Sequence, residues 1–395
     1  MIPTKRLLSI DVFRAVNMFF MIFVNDLSGV RNVPEWIDHV KANEDGMHFA
    51  DTIFPIFLFI AGLSIPLAIG RRINKGDSFT AIAGYILLRS FALIVMGFFH
   101  VNMEEYSSAA ILPLGVWELL LTLSFFLIWL DYPETLSKTK KYMFMGAGVV
   151  ILIILAILYK GVDRHGAPRG LEPSWWGILG IIGWSYLLCA GVFLIVKGRF
   201  PLLIGALIIL VAINLGIHGS LFDHKLWFFK LWLVKDGASA SLMMFGVVIS
   251  LLYSKMIAGG GYKRLWPIFT IIGIALIALG FFVRPYTEGI SKIHSTPSWV
   301  FLCTGIGVLL FELFIWLIDV NGKQNWFKII KPAGTSTLTC YLIPYFQVAI
   351  FYILHIRYPH FFNFGTGGII RSFAVSFIVI IITGFLEKKR LRLKI

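Results

Sequence analysis

Residues able to do acid–base chemistry crowd into the first hundred positions, in and between two apolar stretches. Asp11, Arg14, Asn25 and Asp26 interrupt the first stretch, and His39, His48 and Asp51 occupy the polar loop and the start of the second. An imidazole titrates near pH ~6.5, so His39 and His48 are the candidate bases or nucleophiles. Asp51 or Asp26 would orient such a ring and favour its charge, and Asn25 offers amide hydrogens to a developing oxyanion. Asp11 and Arg14, three apart on one helix face, can neutralise each other or hold an anion between them and the bundle. Arg71, Arg72 and Arg89 are further cations available to a phosphate group. The inner arginines serve equally well as topology signals, and Arg89 as a snorkelling side chain.

These groups need rigid elements to hold them, and the composition says which kind. In 395 residues, 58% are hydrophobic and only 14% charged, with a mean hydropathy of +0.83. That leaves too little polar surface for a soluble globule, and the expectation is an all-α polytopic membrane protein, a single domain over 1–395. Apolar segments fall near 9–29, 51–70, 80–100, 111–131, 143–159, 177–196, 200–217, 237–254, 266–283, 298–318, 335–354 and 369–386. They predict about twelve crossings, or ten or eleven if the shorter ones and the 167–176 region lie at the surface or re-enter. The first segment opens with Asp11 and Arg14 and lacks a small-residue cleavage site, so it reads as a retained span. Ionisable groups placed at such depth usually mark function.

The formal charge of +14 sits in short clusters between the spans rather than on one stripe, which argues against nucleic acid. Lys5 and Arg6, Arg71, Arg72 and Lys75, Lys138, Lys140 and Lys141, and the tail from Lys388 to Lys394 fall on one side of a twelve-span layout. The positive-inside rule then puts both termini in the cytoplasm and the His39 loop outside. Cys189, Cys303 and Cys340 lie in apolar runs without metal-ligand spacing, and the remaining histidines, His224 among them, are scattered, so no metal is expected. Two glycine-rich stretches, Ala258-Gly259-Gly260-Gly261 and Gly365-Thr366-Gly367-Gly368, read as flexible connections, not phosphate-binding loops.

Three motifs carry a resemblance. Arg6-Leu7-Leu8-Ser9-Ile10-Asp11-Val12-Phe13-Arg14, then Val24-Asn25-Asp26, then the run from Asp45-Gly46-Met47-His48-Phe49-Ala50-Asp51 through Ala61-Gly62-Leu63-Ser64-Ile65-Pro66 resemble the transmembrane heparan-alpha-glucosaminide N-acetyltransferase family and its bacterial relatives. Weaker likeness continues through Pro173-Ser174-Trp175-Trp176, Asp236-Gly237, Ile293-His294-Ser295-Thr296-Pro297-Ser298-Trp299 and Pro332-Ala333-Gly334-Thr335-Ser336.

The resemblance implies transfer of an acetyl group from cytoplasmic acetyl-CoA to an extracytoplasmic amino sugar such as glucosamine. Its catalytic histidine lies in the loop between the first two spans, where His39 is the positional match and His48 the rival. The phosphates of acetyl-CoA would meet Arg14, Arg71 and Arg72 at the inner face, with Asp11 and Arg89 nearby. The implied location is a bacterial inner membrane, and the implied partners are acetyl-CoA, an amino sugar or glycan, membrane lipids and a second copy of the chain in a homodimer. Two other readings stay open: an O-acyltransferase acting on an envelope glycan or lipid, and a small-solute transporter. The chain departs from the family pattern at Ala15, at Trp117-Glu118-Leu119 and at Ser336.

Overall fold

The computed structural model describes residues 7–163, 165–219, 233–259 and 261–395. Lys5, Arg6, His224 and Gly260 lie outside the described residues. In chain order the helices are α1 (Leu8–Leu27), α2 (Phe49–Asn74), α3 (Phe79–Val101), α4 (Leu114–Trp129) and α5 (Lys138–Leu158). A two-stranded hairpin, β1 (Gly161–Val162) and β2 (Pro168–Arg169), precedes α6 (Gly177–Ile195), α7 (Phe200–His218), α8 (Ala238–Ala258), α9 (Leu265–Val283) and α10 (Pro297–Phe314). The chain closes with α11 (Lys331–Thr335), α12 (Thr337–Ile353) and α13 (Gly365–Lys388).

Every apolar segment read from the sequence coincides with a helix. Among the described residues ten helices are long and apolar enough to cross a membrane, and α4 and α12 are shorter apolar helices. The protein is an all-α polytopic membrane bundle. Residues 167–176 form the second hairpin strand and a largely exposed run at the surface, fixed where the Asn102 amide donates to the Glu172 carbonyl at 2.9 Å. The stretch from Gly365 to Gly368 is not a loop but the first turn of α13. A side chain at Gly367 would strike the Phe361 carbonyl and one at Gly368 the Val30 side chain, so the glycines there permit packing rather than flexibility.

The described residues fall into two compact units. The first comprises, of the described residues, 7–17, Pro34–Ser90, 182–219, 233–259 and 261–328. Lipid is as apolar as leucine, so helices in such a unit gain by close van der Waals contact rather than by leaving water. Glycine supplies that closeness: α2 crosses α8 at Gly62 and Gly246, where either added Cβ would run into the opposite backbone. At the crossing of α9 and α10, a Cβ on Gly305 would sit 2.7 Å from the Gly273 carbonyl oxygen. Around these crossings Phe59, Leu63, Phe269 and Phe311 are fully buried, and Phe13 stacks on Phe314 with ring centroids 5.0 Å apart.

The second unit comprises Met18–Val33, Phe91–Ile181 and Ile329–Ile395. Phe23 meets Phe373 of α13 edge-on at 5.0 Å, and α4 approaches α12 at Gly115, where a Cβ would lie 3.0 Å from the Ala349 carbonyl oxygen. An apolar groove of about 780 Å³ runs between α4, α12 and α13, with Phe126, Phe346, Tyr358 and Ile382 among its walls. Asp131, just past α4, pairs with Arg392 at 3.2 Å and Lys394 at 3.1 Å, tying down the C-terminal tail.

Candidate active site

α2 begins where His48 takes an extended backbone, φ −109° and ψ −176°. Three residues on, Asp51 turns its carboxylate back over the helix start. One oxygen, Oδ2, accepts the backbone N–H of His48 at 3.1 Å and that of Val40 at 3.0 Å. This is the acidic half of a capping box, and a carboxylate there also meets the positive end of the helix dipole. The contact with Val40 folds the preceding loop onto the helix, bringing the His39 ring within reach of the second oxygen. His39 Nδ1 and Asp51 Oδ1 stand 2.6 Å apart, with the aspartate side chain 3% exposed and the histidine 39%. A carboxylate that buried needs a donor, so Nδ1 carries a proton toward it and Nε2 lies on the far side of the ring.

The backbone of Asp51 is held from another side. Its carbonyl would normally accept from the N–H four residues on, but that residue is Pro55, which has none. Trp299 of α10 donates its indole N–H to the freed oxygen at 3.1 Å.

Lys292 completes the cluster, and no sequence signal marked it. Its Nζ is 3.2 Å from His39 Nδ1 and 3.8 Å from Asp51 Oδ1. Asp45 sets this approach by joining two loops: Oδ1 accepts the Ile290 N–H at 2.6 Å, and Oδ2 accepts Arg284 Nε at 2.9 Å. The Lys292 loop folds on itself through Ser291 and Thr296, the Ser291 N–H donating to Thr296 Oγ1 at 2.9 Å, and turns with Gly289 at φ +77°. Burial pushes the Asp45 carboxyl up, but the Ile290 N–H and Arg284 outweigh it and hold it below the ordinary 3.8. Burial likewise lowers Lys292 from its ordinary 10.5, while the Asp51 charge pulls the other way.

The remaining expected residues are placed as follows. His48 caps α2, its ring part-buried and its Nδ1 without a hydrogen-bond partner. Asn25 and Asp26 belong to the second unit. Asn25 is exposed, and Asp26 accepts Arg371 Nε at 3.0 Å and the Ser372 hydroxyl at 2.8 Å. Asp11 and Arg14 pair at 3.2 Å, and Arg14 also donates to Ser64 Oγ at 2.6 Å.

Arg71 is exposed at the end of α2, its Nε donating to the Leu67 carbonyl at 3.1 Å. Arg72 pairs with Asp77 at 2.9 Å and lies 3.9 Å above the Tyr85 ring. Arg89 donates to the Tyr85 hydroxyl at 2.9 Å and faces the Tyr186 ring at 5.1 Å, while its Nε is buried without a partner. An exposed guanidinium and a buried unpartnered N–H are donors of the type a phosphorylated ligand takes up. Among the described residues no group of three or more His, Cys, Asp or Glu could hold a metal ion.

The stretch that builds most of this site is also where the chain matches known proteins. The sequence profile described as "Heparan-alpha-glucosaminide N-acetyltransferase, catalytic" matches residues 6–99. Human heparan-alpha-glucosaminide N-acetyltransferase is 37% identical over 97 residues, which is 25% of this chain and 14% of that protein. The mouse protein of the same name is 35% identical over 98 residues, again 25% of this chain and 14% of the relative. The chain thus spans only about one seventh of the length of these curated relatives, 14% of each.

Proposed function

We propose that the protein is an acetyl-CoA-dependent membrane N-acetyltransferase that passes an acetyl group from cytoplasmic acetyl-CoA to an extracytoplasmic amino sugar such as glucosamine. The observation that carries this reading is the 2.6 Å contact between His39 Nδ1 and Asp51, made within the stretch that matches an N-acetyltransferase profile. With Nδ1 committed to Asp51, the exposed edge of the ring offers Nε2 as base or nucleophile. In direct transfer, Nε2 takes a proton from the sugar ammonium. The amine attacks the thioester carbonyl, the C–N bond forms, the C–S bond breaks and the CoA thiolate takes up a proton. In the two-step route, Nε2 attacks the thioester carbonyl, the C–S bond breaks and the CoA thiolate leaves with the acetyl group on Nε2; the amine then attacks that carbonyl, the bond to Nε2 breaks, and the proton lost by the amine passes to the thiolate.

The helix that carries Asp51 in its first turn carries Arg71 and Arg72 in its last. Twenty residues of α-helix separate Asp51 from Arg71, about 30 Å, close to the thickness of a bilayer core. Acetyl-CoA bound by Arg71 and Arg72 at the inner end, with Arg89 midway along α3, therefore has to extend into the bundle for its thioester to meet His39. Arg14, seated at Ser64, is a cation on the way.

Purified protein in nanodiscs should convert isotopically labelled acetyl-CoA and glucosamine to N-acetylglucosamine. An ester product would move the reading to O-acylation. Flux of solute through sealed vesicles without any acetyl transfer or acetyl-CoA binding would replace it with transport.

A further inference from the structure

Asp51 alone would make His39 a poor base. A buried carboxylate 2.6 Å from a ring nitrogen favours the imidazolium, and an imidazolium has no lone pair with which to take a proton or an acetyl group. We propose that Lys292 is a positioning residue that keeps His39 in the neutral, Nδ1-protonated form by sharing the Asp51 charge. The catalytic consequence rests on the acetyl-transfer reading; the effect on the ring itself rests only on the geometry.

The geometry is specific. Nδ1 presents one proton or one lone pair, and the shorter contact, to Asp51, takes the proton. Lys292 Nζ then approaches the same edge as a charge, 3.2 Å from Nδ1 and 3.8 Å from Oδ1. A second proton on His39 would set two cations against a single carboxylate, while the neutral ring leaves one cation and one anion in balance. Other groups facing this edge do not alter the count. Asp38, on the same loop as His39, accepts the His39 backbone N–H at 2.8 Å, holding the main chain rather than the ring. Cys303 of α10 is a fully buried thiol within electrostatic reach of Asp51 and Lys292. The position of Lys292 is itself built, since the Asp45 contacts to Ile290 and Arg284 fix the loop two residues before it.

The test compares wild type with K292M, which keeps the apolar stem without the charge, and with K292R, which restores a cation. Carbethoxylation of His39 by diethyl pyrocarbonate, followed by mass spectrometry across a pH series, reports the neutral ring without any need for turnover. The midpoint is expected to rise by about one pH unit in K292M and to return toward wild type in K292R. Acetyl transfer by K292M should fall about tenfold on the acid side and recover as the pH rises, the acid limb moving with the labelling midpoint. K292Q repeats the measurement if K292M is not monodisperse. An unchanged midpoint in both neutral variants, or a rate that falls equally at every pH, overturns the proposal. Wild type that labels as expected but transfers no acetyl group defeats the acetyltransferase reading and leaves the role of Lys292 standing.

Discussion

Pro55 and Trp299 act on one atom, the carbonyl oxygen of Asp51: the proline withholds the helix donor and the indole supplies another at 3.1 Å. The bond links the start of α2 to α10 and fixes the backbone from which the Asp51 carboxylate reaches His39. Replacing Trp299 with phenylalanine keeps the ring and removes the N–H, leaving a buried carbonyl unsatisfied. That should cost about 1–3 kcal/mol in detergent unfolding and lower acetyl transfer along with it. Pro55→Ala, which returns a backbone N–H, should recover part of the loss in the W299F background. Equal losses in the single and double variants would show that the indole acts through packing alone.

His39→Ala should lower turnover by about 10²-fold to 10⁴-fold, the usual contribution of a general acid–base group, with acetyl-CoA binding retained. His39→Asn, polar but unable to carry the proton, should do the same. His48→Ala should stay close to wild type, because its ring makes no hydrogen bond through Nδ1. An inactive, monodisperse H48A beside an active H39A would transfer the role to His48.

Asp45 gives the site a pH limit. Its carboxyl is held below the ordinary 3.8 by the Ile290 N–H and Arg284 against the pull of burial. A depressed carboxyl stabilises the folded loop fully above its unfolded pKa and loses that contribution as the pH falls through the lower, folded value. Docking of the Lys292 loop is therefore expected to hold at neutral pH and loosen below about pH 4. Asp45→Asn should loosen it at every pH. Hydrogen exchange of the Ile290 and Gly46 amides measures both, and identical protection in D45N and wild type would contradict the tie.

Both chain ends are expected to face the cytoplasm and the His39 loop the outside, from the distribution of basic clusters. A membrane-impermeant thiol reagent on intact cells should label a cysteine introduced at Asn43 and spare one introduced at Gly76. The opposite labelling pattern would reverse the orientation.

The helices were legible because burial in lipid demands long apolar runs, and each run from 9–29 to 369–386 became one. The ends were less so: Gly365 to Gly368 carries turn-forming residues, yet contacts with Phe361 and Val30 decide its conformation, and no local rule anticipates them. At the site, His39, His48 and Asp51 stood out as ionisable groups beside a span. Lys292 did not, because a single lysine in a polar loop is ordinary, and only the Asp45 tie to a distant segment gives it meaning. Arg371 was hidden for a similar reason: its partner Asp26 lies far away in sequence within the same unit.

α4 and α12 have 16 and 17 residues, about 24 and 26 Å of helix, against about 30 Å of hydrocarbon in a typical bilayer. At the end of α4 the ion pairs of Asp131 with Arg392 and Lys394 follow at once, so charge begins where lipid tails would otherwise continue. α4 and α12 are thus shorter than a typical hydrocarbon core, whereas α5 and α13 of the same unit, with 21 and 24 residues, are long enough to cross it. Acyl-chain length is therefore expected to act on these two helices: short-chain nanodiscs should relieve their mismatch and long-chain ones should strain it.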